Sequence, residues 1–91
     1  MADVTADGLD PLHTQLARKL LGWTAQEFSD HCSVGPATVR NFESGQKVRE
    51  SSRLAMIEAI ETARVDRDGT TFRVQLYNGG QVGARLFKVK A

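Results

Sequence analysis

Apolar residues recur along this chain in two periods, first helical and then that of a strand. Leu12, Leu16 and Leu20 share one face at i, i+4 and i+8, with Ala17 and Leu21 beside them. Asp10-Pro11 opens this stretch as an N-cap and a first-turn proline, and Gly22 closes it. Thr24 and Glu27 form a capping box ahead of Phe28 and Cys32, a second and shorter stripe. Ser33, Val34 and Gly35 read as a turn. Pro36 then opens a third helix that turns Val39 and Phe42 inward and stops at Gly45. After the polar loop Gln46-Lys47-Val48-Arg49, Ser51 or Ser52 is expected to cap a fourth helix. Its face carries Leu54, Ile57, Ile60 and Ala63, with Met56 nearby.

The period changes after Asp66. The run Asp66 to Thr70, DRDGT, reads as a turn-rich break. Phe72, Val74 and Leu76 then alternate with Arg73, Gln75 and Tyr77, the pattern of a half-buried strand. Asn78-Gly79-Gly80 marks a hairpin, with Val82 to Val89 as the returning strand. A lone two-stranded hairpin is marginal in water, so it must pack on the helices or pair at its edge with a second chain. Two extra apolar-faced strands fit poorly on a core the helices already close, which favours a dimer contact. Folding back on the chain's own helices is the alternative. Residues 1–9 are small, acidic and without period, and are expected to form a loosely attached arm. The expected organisation is a flexible arm over 1–9, a helical domain over 10–65 and a hairpin over 66–91. The expected fold is mainly α, with four to five helices and a C-terminal β-hairpin.

The stretch from Thr24 to Gly45 has a further property. Two helices this short, joined by so tight a turn, must pack at a steep angle and leave one side of the second exposed. That is helix-turn-helix geometry, in which the second helix enters the DNA major groove. The run from Arg18 to Gly45, RKLLGWTAQEFSDHCSVGPATVRNFESG, resembles the Cro/phage-repressor (Xre-type) helix-turn-helix family of bacterial and phage regulators. Leu-Gly-Trp-Thr before the first motif helix, Glu27 inside it, Ala-Thr-Val in the second and the closing Phe-Glu-Ser-Gly carry the likeness. With its flanking helices it covers roughly two thirds of the chain. The tail from Asn78, NGGQVGARLFK, is similar to the ending of some small bacterial members, a shorter and weaker match.

The resemblance implies a repressor-like domain that binds an inverted repeat as a homodimer, with half-sites about one helical turn apart. Repression, often of the protein's own promoter, is the commonest role in the family. It also implies an ion pair between Arg18 and Glu43, tying the second motif helix to the first helix of the domain. The sequence departs from the family at Ala25, where many members have Gln, and at Pro36, where many have a polar partner for that Gln. The paired-glutamine reading of DNA therefore does not carry over. The strands after the fourth helix replace the further helix of many repressors, so their dimer mode does not carry over either.

The residue types of the second motif helix suit base recognition. Pro36, Ala37, Arg40 and Asn41 fall on its open side, with Thr38 near its start. Arg40 suits a guanine edge or a phosphate, and Asn41 can pair bidentately with adenine. Pro36 and Ala37 offer only contact with thymine methyl groups or a close approach. Thr24 and Gln26, at the start of the first motif helix, suit a phosphate. Lys47, Arg49 and, as a further candidate, Arg53 can reach the DNA backbone. A solvated loop is the plain alternative for Lys47 and Arg49, and the family's loop lying against DNA favours contact. Trp23 precedes the motif helix and is expected to be a core aromatic.

Composition narrows the classes. Ninety-one residues allow one small domain, and the net charge of +1 argues against strong non-specific DNA binding. The charge is uneven: Asp3, Asp7 and Asp10 lie at the start, while Arg73, Arg85, Lys88 and Lys90 lie after Gly69 without an acid. No apolar run has transmembrane length and the start lacks signal-peptide features, so a cytoplasmic protein without membrane contact is expected. A single cysteine, Cys32, fits a reducing compartment and a small core residue. His31 and Cys32 are adjacent and diverge on a helix, so no metal site is expected; neither a cofactor nor a small-molecule substrate is expected. No catalytic constellation is present, and an enzyme is not expected. A rival reading takes the chain as an antitoxin-type or protein-interaction module, with the hairpin as its partner-binding surface.

Overall fold

The first helix begins and ends where local chemistry satisfies its free backbone groups. In the computed structural model, which describes residues 4–89, α1 spans Pro11–Leu21. Asp10 caps it, its Oδ1 accepting from the Leu12 amide at 2.9 Å, and Gly22 ends it in the left-handed conformation at φ 74°. Helices α2 (Ala25–Cys32) and α3 (Pro36–Glu43) follow, then α4 (Glu50–Thr62). The chain closes with strands β1 (Val65–Arg67), β2 (Thr70–Asn78) and β3 (Val82–Lys88).

The expectation of a mainly α fold with a hairpin is corrected. Four α-helices accompany a three-stranded antiparallel sheet in the order β1-β2-β3, so the fold is mixed α/β. The difference lies in the stretch read as a break. Asp68 and Gly69 both take positive φ, 52° and 79°, in a two-residue turn that pairs Arg67 with Thr70 and Val65 with Phe72. Arg67 also donates to the Leu20 carbonyl at 3.2 Å, tying β1 to α1.

The helices do not close the core alone. Val74 and Leu76 of β2 join Ala17, Phe28, Val39, Phe42, Met56, Ile57 and Ile60 in one buried cluster, with Ala84 and Leu86 of β3 packed on it. The hairpin is therefore folded onto α1 and α4 of its own chain. The expected arm over 1–9 is corrected for its described part. Val4, Ala6 and Leu9 are buried, and a short 3-10 turn (Ala6–Gly8) packs on α4. Asn78 Nδ2 donates to the Gly8 carbonyl at 3.1 Å, joining this segment to the tip of the hairpin.

Two helix faces are rotated from the expected stripes. On α4, Met56, Ile57, Ala59 and Ile60 are buried while Leu54 is exposed, and Arg49 is the N-cap in place of Ser51 or Ser52. On α1, Leu12 is exposed and the most buried side chains are His13, Thr14 and Ala17. The sheet explains both: it covers flanks of α1 and α4 that a purely helical core would leave open.

His13 is fully buried, with both ring nitrogens held. Its Nδ1 accepts from the Asp10 amide at 2.9 Å, which leaves the proton on Nε2 to donate to the Tyr77 carbonyl at 2.8 Å. One neutral imidazole thus caps α1 and pins the end of β2 to it. Replacing His13 by phenylalanine keeps the ring but orphans the Asp10 amide, at an expected cost of about 1–2 kcal/mol. Urea unfolding followed by Trp23 fluorescence checks this; an unchanged midpoint would remove the role.

Candidate nucleic-acid interface

Local chemistry sets the helix-turn-helix before any partner is considered. Thr24 Oγ1 accepts from the Glu27 amide at 3.1 Å, and Glu27 Oε1 accepts from the Thr24 amide at 2.9 Å. Ser33 ends α2 in the left-handed conformation at φ 56°, and Gly35 leads into Pro36 at the first position of α3. At the far end, Gly45 takes φ 94°. Its amide donates to the Phe42 carbonyl at 3.0 Å and that of Gln46 to the Asn41 carbonyl at 2.9 Å, a Schellman closure.

Helix α3 buries Val39 and Phe42 and turns Ala37, Arg40 and Asn41 to solvent. Neither the Arg40 nor the Asn41 side chain hydrogen-bonds another described residue. Pro36 and Thr38 are half-buried at its start. Thr38 and Asn41 line an open groove together with Lys47, Val48, Arg49 and Ser52. Lys47 and Arg49 are exposed, and neither forms an ion pair with a described residue. One groove thus brings together two expected recognition-helix residues and two expected loop cations.

Other candidates are placed differently. Thr24 is exposed, with its hydroxyl engaged in the cap. Gln26 is exposed but donates to Asp30 Oδ1 at 3.1 Å, which sets a carboxylate beside it. Arg53 is turned inward: Nε donates to the Ala6 carbonyl at 2.9 Å and Nη1 to the Val48 carbonyl. Two of its five N–H donors are thereby engaged within this chain, and its side chain is 19% exposed.

Arg18 and Glu43 form a two-pronged ion pair, with Nη2 to Oε1 at 2.8 Å and Nε to Oε2 at 3.0 Å. Their side chains are only 22% and 10% exposed. Arg18 Nη1 also reaches the Trp23 carbonyl at 3.4 Å, and Gln15 Nε2 donates to the Glu43 carbonyl at 3.1 Å. Helix α3 is thereby fixed to α1 and to the start of the motif, which sets the angle at which its open face is presented.

Trp23 stacks on His31, with centroids 3.9 Å apart and planes 7° apart, and also lies near Phe28. Sequence reasoning missed His31 as its partner; the eight-residue spacing across the joint gives no periodic signal. Burial pushes the pKa of the Cys32 thiol above its ordinary value. From about pH 8.5 upward the unfolded chain gives up a proton that the folded chain keeps, so this group's contribution to stability falls as pH rises. Cys32→Ala is expected to flatten that alkaline loss. Denaturant unfolding of both chains across that range checks the slope; parallel curves would refute it.

No protein-family model, curated protein or solved structure matches this chain.

Proposed function

We propose that this chain is a sequence-specific double-stranded-DNA-binding regulator, most readily a repressor, that reads an inverted repeat with α3 in the major groove. The observation that carries this reading is the open face of α3. Arg40 and Asn41 project from it with no side-chain hydrogen bond to a described residue, while the opposite face is buried and its end is fixed by Glu43. Arginine and asparagine are the side chains whose donors and acceptors match guanine and adenine edges. Lys47 and Arg49, which line a groove with Asn41, supply the charge that holds a phosphate backbone in register. The likeness of Arg18–Gly45 to Xre-type regulators agrees with this use of the motif. The reading needs no catalysis or cofactor and suits the cytoplasm of a bacterial or phage-infected cell. No helix among the described residues is long and apolar enough to cross a membrane.

The proposed active form is a homodimer. Val89 donates to the Thr71 carbonyl at 2.9 Å, which sets the phase of the β2–β3 ladder. Residues 83, 85 and 87 then face β2, and the backbone groups of Ala84 and Leu86 point to the open edge. No described residue bonds them there. A second copy adding its β3 antiparallel would satisfy both edges. A monomeric mass in light scattering at tens of micromolar would count against this.

The test of function is selection of duplex DNA from a random pool at physiological salt, beside an Arg40/Asn41 double-alanine control. An enriched palindrome lost in the control is the expected result. The same open edge favours the second reading, a module that adds a strand to a protein partner. Absence of enrichment would turn the assignment to it.

A further inference from the structure

We infer that Arg53 is the residue that positions the loop bearing Lys47 and Arg49, by clamping it against the N-terminal segment. The inference rests on the DNA-binding reading of that loop. Arg53 stands in the first turn of α4 and its guanidinium reaches two backbone segments that are far apart in sequence. Nε donates to the Ala6 carbonyl at 2.9 Å, and Nη1 donates to the carbonyl of Val48. Nη2 lies 3.8 Å from Asp7 Oδ1, but that carboxylate is 88% exposed while the Arg53 side chain is 19% exposed. The two carbonyls, and not the carboxylate, therefore hold the group.

The loop has few other anchors. Its start is tied by the Gln46 amide to the Asn41 carbonyl, and its end by the Arg49 carbonyl to the Ser52 and Arg53 amides. Between these points the Val48 carbonyl is held, among the described residues, by Arg53 alone. Val48 sits between the exposed Lys47 and Arg49 and packs on the core, so gripping it sets where both cations stand on the groove. The far side of the clamp is firm: Val4, Ala6 and Leu9 are buried, and Gly8 is bonded to Asn78. A planar fork with donors in fixed directions can serve both carbonyls at once, and a lysine ammonium cannot reproduce that geometry.

The experiment compares full-length Arg53→Lys, Arg53→Ala, Asp7→Asn and the Lys47→Ala/Arg49→Ala double variant. The first readout is limited trypsin digestion of the native protein, comparing cleavage after Lys47 and Arg49 with cleavage after Arg73 and Arg85 in the sheet. Arg53→Lys is expected to raise loop cleavage on the order of tenfold, with the sheet sites unchanged. The second readout is duplex affinity against salt. The slope for Arg53→Lys is expected to fall by about two units, as in the double variant, with no further loss when the two are combined. Asp7→Asn should match the parent in both assays.

Wild-type behaviour of Arg53→Lys would overturn the inference. So would a slope lowered by about one unit in Arg53→Ala and restored in Arg53→Lys, the mark of a direct phosphate contact. Cleavage rising equally at all four sites would reduce Arg53 to general stability and overturn it too. Selective loop cleavage in a chain that binds no duplex would instead overturn it through the DNA reading, leaving the clamp itself demonstrated.

Discussion

Glu43→Ala is expected to destabilise the fold by about 3 kcal/mol, the lower end of the cost of breaking a largely buried ion pair. The partner left behind is Arg18, whose side chain is 22% exposed, so water can reach part of it and the upper end of that range does not apply. For a domain of this size about 3 kcal/mol is a large share of total stability and corresponds to a melting temperature lower by roughly 15 °C. The cost has a direction. Arg18 of α1 closes on the Glu43 carboxylate and Gln15 on its backbone carbonyl, so losing the carboxylate leaves only the Gln15 bond, among those two, to hold the C-terminal end of the helix whose open face carries Arg40 and Asn41. Glu43→Gln keeps an acceptor for one prong and should recover about half of the loss. Thermal melts of Glu43→Ala, Glu43→Gln and Arg18→Ala, with the double alanine variant to close the cycle, measure it. Additive losses would show that the pair is not coupled and would remove it as the brace of α3.

The sequence speaks most clearly where one residue decides the local backbone. Asp10-Pro11, the Thr24–Glu27 box, Pro36 and Gly45 each bound a helix by chemistry confined to a few neighbours, and α1 to α3 start or stop at them. The alternation from Phe72 to Tyr77 and the Asn78-Gly79-Gly80 turn likewise lie within β2 and its return to β3. The third strand was hidden because β1 is three residues long, too short to show a period. The one available signal was Asp68-Gly69, a hairpin dipeptide read as part of a break. Treating the helices as a closed core followed from missing the sheet's third strand and its inward face. It made Leu12 and Leu54 core residues, where the structure buries His13 and Thr14 on α1 and adds Ala59 to the expected Met56, Ile57 and Ile60 on α4.

Site residues divide along the same line. The open side of α3 follows from helical spacing, because Val39 and Phe42 fix which side is buried. Arg53 could not be read in this way. A cation close to Lys47 and Arg49 looks like a third ligand for a backbone. Two of its donors are held by Ala6 and Val48, and the first of these lies 47 residues away in an acidic stretch without period. Burial of Val4, Ala6 and Leu9 is equally non-local, since it depends on a surface that exists only once α4 and the hairpin have docked.

The same division of labour predicts how DNA binding should respond to substitution. Arg40→Ala and Asn41→Ala are each expected to erase about 1–3 kcal/mol of discrimination at their own base positions. Affinity for unrelated duplex should change far less, because that affinity is set by charge. Lys47→Ala should weaken selected and unrelated duplexes alike and lower the salt slope by about one unit. The contrast between the two exposed cations is sharp, since both are free of ion pairs with described residues and differ only in where they stand. Arg40 rises from the helix face that would meet base edges, and Lys47 from the loop that lines the groove. If Arg40 instead touches a phosphate, its alanine variant will behave as Lys47→Ala does, and Asn41 will be left as the reader of bases on this helix. Titrations of each variant against the selected duplex and a scrambled one, over a range of salt, separate these cases. Equal losses on both duplexes for all three variants would defeat the assignment of α3 as the reading element.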